Sequence, residues 1–550
     1  MLAAAAGLLL LVAHPPLGWW PTTFAAPALL LAALEVDARA ARAVGRRPRA
    51  GRLGVLCGVV AYAPMLTWLI LPAGHVGWSL LVLVQAAWMG VVALLAGKVL
   101  DRWYLAPVLA VAWTGVDAWR AIVPMNGFEW GAIHYAHVDG SWLLPLARIT
   151  GGRGITLLVV LISALAFEVV RRTSAELAGR DRHGFEEALG ATRGAVGALV
   201  AALLVSVLAT IEPPPETGSL DVLAVQGNDI RHWEEPAADP PLRITTAMRD
   251  LTLEAVEEGG EPDLVVWPES SIDRGIYTER GERLRPLVEE AATSVPLLLA
   301  GANLDGPDPE TEWLNTGLVF EGEFPHADAY VKRRLVPFGE YVPFRPLFDW
   351  FPPLDQVPRD GLPGPRGQTL DLGDVRAGVI ICFETLFTGI TRDNVHGGGD
   401  PAQLLVVITN NASFGDSAQP EQHLAQTRLR AVETGRWAVH GAISGSSAFV
   451  DPDGGAHQVT STFELATIRQ QLPLVDGLTP FLRVGDVLGI ATRALVAAAL
   501  AWLVLLRVRR WRGRRRDAAH EPGDGASQRA GGASEKSGTP PATRTPGRLG

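Results

Sequence analysis

Gly378-Val379-Ile380-Ile381-Cys382-Phe383-Glu384 decides how the centre of this 550-residue chain folds. An apolar, β-branched run that stops at a thiol reads as a buried strand, its C-terminal end presenting a side chain where the chain turns. Two other stretches are built alike. Val265-Val266-Trp267-Pro268-Glu269-Ser270 ends on a carboxylate. Tyr330-Val331-Lys332-Arg333-Arg334-Leu335-Val336-Pro337-Phe338-Gly339-Glu340 sets an ammonium just past an apolar run. A carboxylate, an ammonium and a thiol in that order are what a base, an electrophilic stabiliser and a nucleophile require.

The surrounding texture predicts an α/β layer structure. Segments 220–225, 264–267, 297–300, 314–320, 377–381, 404–409 and 448–451 read as short buried strands bounded by Gly, Pro, Asn and Asp. Segments 242–258, 279–293 and 422–435 have helical apolar spacing. Strands alternating with helices imply packed layers.

Outside this region the chain is apolar. Runs near 3–14, 17–34, 53–71, 80–100, 104–123, 155–170, 195–211 and 487–506 predict eight membrane spans. His14-Pro15-Pro16 followed at once by another apolar run favours a retained first helix over a cleaved signal. Arginine-rich clusters follow the second, fourth, sixth and last runs, whereas 72–77 has no Lys or Arg. All four clusters fall on one face if both termini are cytoplasmic, which puts 212–481 outside. The expected organisation is a transmembrane domain over 1–211, an extracytoplasmic catalytic domain over 218–475, a last transmembrane helix over 487–506, and a basic, then disordered, cytoplasmic tail over 507–550.

Composition agrees and excludes several classes. Hydrophobic residues make up 48% of the chain and mean hydropathy is +0.18, high for a protein without membrane segments. The net charge of −10 and the lack of a basic, aromatic-laced face argue against nucleic acid. The 12 histidines form no ligand-spaced cluster and no phosphate-binding glycine loop is visible, so neither metal nor cofactor is expected. With Cys57 in a predicted span, the only other cysteine, Cys382, has no disulfide partner.

Each candidate has a plain reading beside the sharp one. Cys382 alone is a small buried hydrophobe, but a turn at Phe383-Glu384 exposes its sulfur at the sheet end. Glu269 alone is a loop carboxylate; after a proline that stops its strand, in apolar surroundings, its pKa rises and it can take the thiol proton. Lys332, with Arg333 and Arg334, is a headgroup contact or, turned inward, an oxyanion stabiliser. Glu340 pairs with a cation of the site or caps a turn. In the fifth span, Asp117 and Arg120 can pair at i,i+3.

Together, Trp-Pro-Glu, Lys-x-x-Leu-Val-Pro-Phe-Gly-Glu-Tyr-Val-Pro and Ile-Cys-Phe-Glu resemble the Glu-Lys-Cys triad of the nitrilase superfamily. The Lys332–Pro343 stretch, flanked by spans, is similar specifically to the apolipoprotein N-acyltransferase family. Val225-Gln226-Gly227-Asn228, Thr409-Asn410-Asn411-Ala412, Phe414-Gly415-Asp416, Arg430-Ala431-Val432-Glu433 and Gly435-Arg436 extend the likeness. The resemblance implies an α-β-β-α sandwich on an eight-helix membrane domain in a bacterial cytoplasmic membrane. It also implies transfer of an acyl chain from a phospholipid to the α-amine of a lipoprotein's diacylglyceryl-cysteine. It makes Glu269 the base, Cys382 the nucleophile that becomes a thioester, and Lys332 the oxyanion stabiliser. The Phe383 N–H is then a second donor, and Glu340 and Glu384 are supporting carboxylates; the chain is expected to act as a monomer.

Ser413, where the family usually carries Trp, and Ala442-Ile443-Ser444 depart from the pattern and bear on substrate preference. The aromatic, proline-rich 344–366 stretch, with Phe344, Phe348, Trp350 and Phe351, suggests a lid dipping into the outer leaflet. A membrane-anchored amidase with the same triad is the alternative, although it needs one anchor and not eight spans. A transporter or sensor is a third reading, opposed by the few polar residues in mid-span.

Overall fold

The computed structural model describes residues 1–177, 194, 197, 212–228, 239–322, 324–348, 357–365, 367 and 369–519. The chain divides into two compact units, Met1–Val496 and Ala497–Gly550. Within the first, the strands are β1 (Glu216–Gln226), β2 (Leu264–Ile272), β3 (Leu298–Asp305), β4 (Glu312–Glu321), β5 (Phe324–Val331), β6 (Asp360–Gly361), β7 (Leu370–Leu372), β8 (Val375–Ile381), β9 (Leu404–Thr409), β10 (Ala438–Ala442), β11 (Ala448–Val450), β12 (Ala456–His457) and β13 (Ala466–Val475). One sheet runs β13-β1-β2-β3-β4-β5 with β6 beside β4, and the other runs β12-β11-β10-β9-β8-β7.

Alternation along the strands explains why the sheets stack. Val222, Ala224, Leu264 and Val266 of the first sheet share one core with Val379, Ile381, Val406 and Ile408 of the second. The intervening Leu223, Val225, Val265 and Trp267 turn outward onto Ile244, Met248, Val288 and Ala291 of helices Pro240–Gly259 and Arg285–Thr293. Ile380, Leu405 and Val407 do the same against Val395 of Thr388–His396 and Leu424 and Ala431 of Gln419–Thr434. Strands apolar on both faces need cover on both faces, and the result is the expected helix-sheet-sheet-helix order.

The structure corrects three local readings. Pro268 does not stop its strand, because β2 continues to Ile272. The register with β3 shifts between Trp267 and Ile272, so the missing N–H falls at an irregularity where no ladder bond is lost. The single helix expected over 279–293 is a 3-10 turn, Glu279–Gly281, and then Arg285–Thr293, which begins where Pro286 fits a first turn. The second apolar run, 17–34, is a 3-10 turn, Trp20–Phe24, followed by helix Ala26–Ala43, with Pro27 in its first turn. Sequence reading missed β5, β6, β7, β10, β12 and β13.

Among the described residues, three helices are long and apolar enough to cross a membrane: Thr67–Lys98, Gly152–Ser174 and Val487–Arg512. Leu2–Ala13 and Ala50–Met65 are apolar but shorter. Leu105–Arg120 has 16 residues, about 24 Å at 1.5 Å per residue, against a hydrocarbon thickness of about 30 Å. Eight full-length spans are therefore not seen among the described residues; the expected 195–211 run, apart from residue 197, and most of the tail lie outside them.

Candidate active site

The site forms where the C-terminal ends of β2 and β8 meet the segment after β5. Ser270, beside Glu269, has φ +62°, and Cys382, directly after β8, has φ +49°. A left-handed residue that is not glycine costs about 1–3 kcal/mol and needs support from its surroundings. At Cys382 the chain leaves the sheet into a 3-10 turn, Cys382–Leu386, and the cysteine is half-buried. The sulfur is thus less open than the sequence suggests.

Glu269 and Lys332 meet directly. Lys332 Nζ donates to Glu269 Oε1 at 2.8 Å and to Glu340 Oε1 at 2.9 Å. Asn315 of β4 repeats the pattern: its Nδ2 lies 2.7 Å from Glu269 Oε1 and 2.8 Å from Glu340 Oε1. The Asn410 N–H donates to Glu269 Oε2 at 2.8 Å. Glu340 both pairs with the cation and caps a turn, because its Oε2 accepts the Val336 N–H at 2.7 Å.

The electrostatics follow from these contacts. Burial alone would push the Glu269 carboxyl up, but the touching Lys332 charge and the Asn315 and Asn410 donors outweigh it. Its pKa lies below the usual carboxylate range, which corrects the expectation of a raised value in apolar surroundings. Burial likewise opposes the Lys332 charge, yet Glu269 and Glu340 hold its pKa well above the ordinary lysine value. Burial pushes the Cys382 thiol up to about 12; the Glu269 charge adds to this, and Lys332 and the Thr409 hydroxyl offset only part. At neutral pH the site holds an ion pair and a neutral thiol.

Glu384 ties the two sheets together. Its Oε1 accepts the Arg333 and Arg334 N–H groups at 2.7 and 3.0 Å. Its Oε2 accepts the Tyr330 hydroxyl at 2.7 Å and the Ile381 N–H at 3.0 Å. Arg333 pairs with Asp393 at 2.9 Å, and the Arg334 guanidinium lies over the Phe387 ring.

Aromatic side chains from the N-terminal region approach the cysteine turn. Phe128 stacks on Trp130 and on Phe383, with centroids 5.8 and 6.3 Å apart, and Trp68 lies 4.9 Å from Trp130. Phe414, beside the exposed Ser413, meets Trp68 edge-on at 5.0 Å. Asp117 and Arg120 pair at 2.8 Å as their spacing suggests. Of the expected lid, Phe344 is exposed, while Trp350, Phe351 and the Phe348 side chain lie outside the described residues.

The sandwich and the Glu-Lys-Cys cluster define a chain of the carbon-nitrogen hydrolase class, and the profile described as "Carbon-nitrogen hydrolase" matches residues 240–476. A second profile, "Apolipoprotein N-acyltransferase N-terminal domain", matches residues 6–165. The apolipoprotein N-acyltransferase of Geobacter metallireducens is 30% identical over 91% of this chain and 95% of that one. That of Mycolicibacterium smegmatis is 30% identical over 92% and 84%. The chain belongs to the apolipoprotein N-acyltransferase family. A solved Nesterenkonia amidase of the nitrilase superfamily is 18% identical, covering 50% of this chain and 96% of that one with a TM-score of 0.36.

Proposed function

We propose that this chain transfers an acyl group from a phospholipid to the α-amine of a lipoprotein's N-terminal diacylglyceryl-cysteine, through a thioester on Cys382. The observation that carries the mechanism is Lys332 bridging Glu269 and Glu340 beside that thiol.

A thiol near 12 does not surrender its proton to an ion-paired carboxylate at rest. Proton transfer to Glu269 therefore accompanies attack of the sulfur on the ester carbon of the phospholipid. Glu269 Oε1 already accepts from Lys332 and Asn315, and Oε2 takes the Asn410 N–H, which leaves the second lone pair of Oε2 for the thiol proton. As charge moves from sulfur to the carbonyl oxygen, the Lys332 ammonium and the Phe383 N–H stabilise the oxyanion. Collapse breaks the ester C–O bond. The lysophospholipid oxygen leaves with the proton from Glu269, and the acyl group stays on sulfur. In the second half, the lipoprotein amine attacks the thioester, Glu269 takes a proton from nitrogen, and the expelled sulfur recovers it. One site serves both halves, with Glu340 and Glu384 as supporting carboxylates.

The surrounding topology belongs to the same reading. Domains over 1–211, 218–475, 487–506 and 507–550, about eight spans, cytoplasmic termini and a monomeric enzyme facing outward suit a site fed from the bilayer. The arginine clusters and the three long apolar helices support it. The test incubates purified protein with phospholipid and a diacylated lipopeptide, wild type beside Cys382→Ala, and reads both by mass spectrometry. Gain of one acyl chain on the peptide amine, lost in the variant, is the expected result. Absence of both a peptide gain and an acyl adduct on Cys382 would turn the reading toward the amidase alternative.

A further inference from the structure

Behind the cysteine turn, opposite the Glu269–Lys332 pair, His423 is 1% exposed on helix Gln419–Thr434. Its Nε2 lies 3.0 Å from the Cys382 carbonyl oxygen and 3.0 Å from Thr385 Oγ1. Its Nδ1 lies 3.3 Å from Thr409 Oγ1 and 3.3 Å from Asn411 Oδ1. Its ring meets that of His440 edge-on at 5.3 Å.

These contacts fix the tautomer. Burial pushes the imidazole down to about 4, so it carries one proton at neutral pH. A carbonyl oxygen only accepts, so the proton sits on Nε2 and is donated to Cys382, and Nδ1 must accept. Asn411 Nδ2 is buried without a hydrogen-bond partner among the described residues. Turning that amide over brings its N–H2 against Nδ1 and Thr409 Oγ1. The Thr409 proton, otherwise given to Asn411 Oδ1 at 3.1 Å, is then free for the sulfur.

The neighbouring residue extends this support toward the membrane helices. Gln422 Oε1 accepts the indole N–H groups of Trp130 at 2.7 Å and Trp68 at 3.2 Å, and its amide nitrogen, Nε2, donates to the Pro15 carbonyl at 3.2 Å. Two adjacent residues of one helix thus join the aromatic wall to the backbone of the cysteine.

We propose that His423 is a positioning residue for the proposed nucleophile. Its Nε2–H bond to the Cys382 carbonyl holds the left-handed backbone that aims both the sulfur and the Phe383 N–H at the substrate carbonyl. The inference rests on the Cys382 thioester reading, but its test does not depend on the identity of the acceptor. Glutamine keeps an N–H donor on the side chain, whereas leucine keeps the bulk and removes it.

The measurement is single-turnover formation of the acyl adduct on Cys382, followed by intact mass, in full-length protein with phospholipid vesicles across a range of lipid concentrations. Thermal melts accompany each variant. His423→Leu should slow adduct formation by about 10²-fold, the order expected when a reacting group is misplaced by about 1 Å. The lipid concentration at half-maximal rate should stay within about twofold of wild type, because the lipid-binding surface is untouched. His423→Gln should recover most of the lost rate. Wild-type rates in His423→Leu overturn the proposal. So does equal loss in the Leu and Gln variants alongside equal loss of melting temperature, which means a packing role alone. Absence of any adduct in wild type removes the thioester reading itself, a distinguishable failure.

Discussion

Lys332 Nζ stands 2.8 Å from Glu269 Oε1, with the two residues 1% and 5% exposed. Breaking a buried pair from one side leaves an uncompensated charge, at a cost of about 3–5 kcal/mol. Lys332→Met strands both Glu269 and Glu340, so it should lower the thermal midpoint and abolish acylation. Adding Glu269→Gln should restore part of the stability and none of the activity. A Lys332→Met midpoint equal to wild type would count against a tightly paired site.

The neutral thiol gives a pH signature. With Cys382 pushed up to about 12, the thiolate fraction rises about tenfold per pH unit from 7 to 10. Alkylation of Cys382 by iodoacetamide without lipid should follow that slope without levelling off. A plateau near pH 7 would mean that Glu269 already holds the proton at rest.

Glu384→Gln probes the clamp between the sheets. The amide retains one oxygen, so its N–H2 must face either the Ile381 N–H or the Arg333 and Arg334 N–H groups, which can only donate. Donor facing donor in a buried site costs about 1–3 kcal/mol per group left unmatched. We expect activity to fall about 10²-fold with misplacement of the cysteine turn, alongside a lowered melting temperature. Melting curves and lipopeptide acylation rates check both.

Gly301→Ala should reach the site through the backbone. A Cβ on Gly301 would fall 2.3 Å from the Pro268 carbonyl oxygen and 2.5 Å from Glu269 Cα. Main chain cannot swing aside as a side-chain tip can, so β2 must move and take Glu269 with it. Overpacking of this kind costs about 1–3 kcal/mol. Acylation should fall more than the melting temperature suggests; normal activity would show that Glu269 tolerates displacement.

The three candidates were legible because each ends or follows a run of strand residues, and the motif order did the rest. Their partners were not. Asn315 and Glu269 are 46 positions apart, and His423 and Cys382 are 41 apart, so only the strand order of the first sheet and the helix covering the second bring them together. His423 did leave a trace. Gln422, His423, Gln426, Thr427, Arg430, Glu433 and Thr434 form a stripe at helical spacing that is polar yet buried, the opposite of an ordinary surface helix. Pro268 misled because proline usually ends a ladder, whereas here the irregular β2–β3 register absorbs it. The lowered Glu269 pKa was hidden for a related reason: apolar neighbours in sequence gave no sign of the cation that meets it in space.

Glu269 and Lys332 are carried by one sheet of the sandwich and Cys382 by the other, with Glu384 reaching across. A newly made chain with only one sheet formed holds either the sulfur or the charged pair, never both. On the proposed mechanism such a chain lacks the means to cut an ester bond, so competence arrives only with the closed fold. On that reading, closing the seam between the sheets is the step that assembles the site.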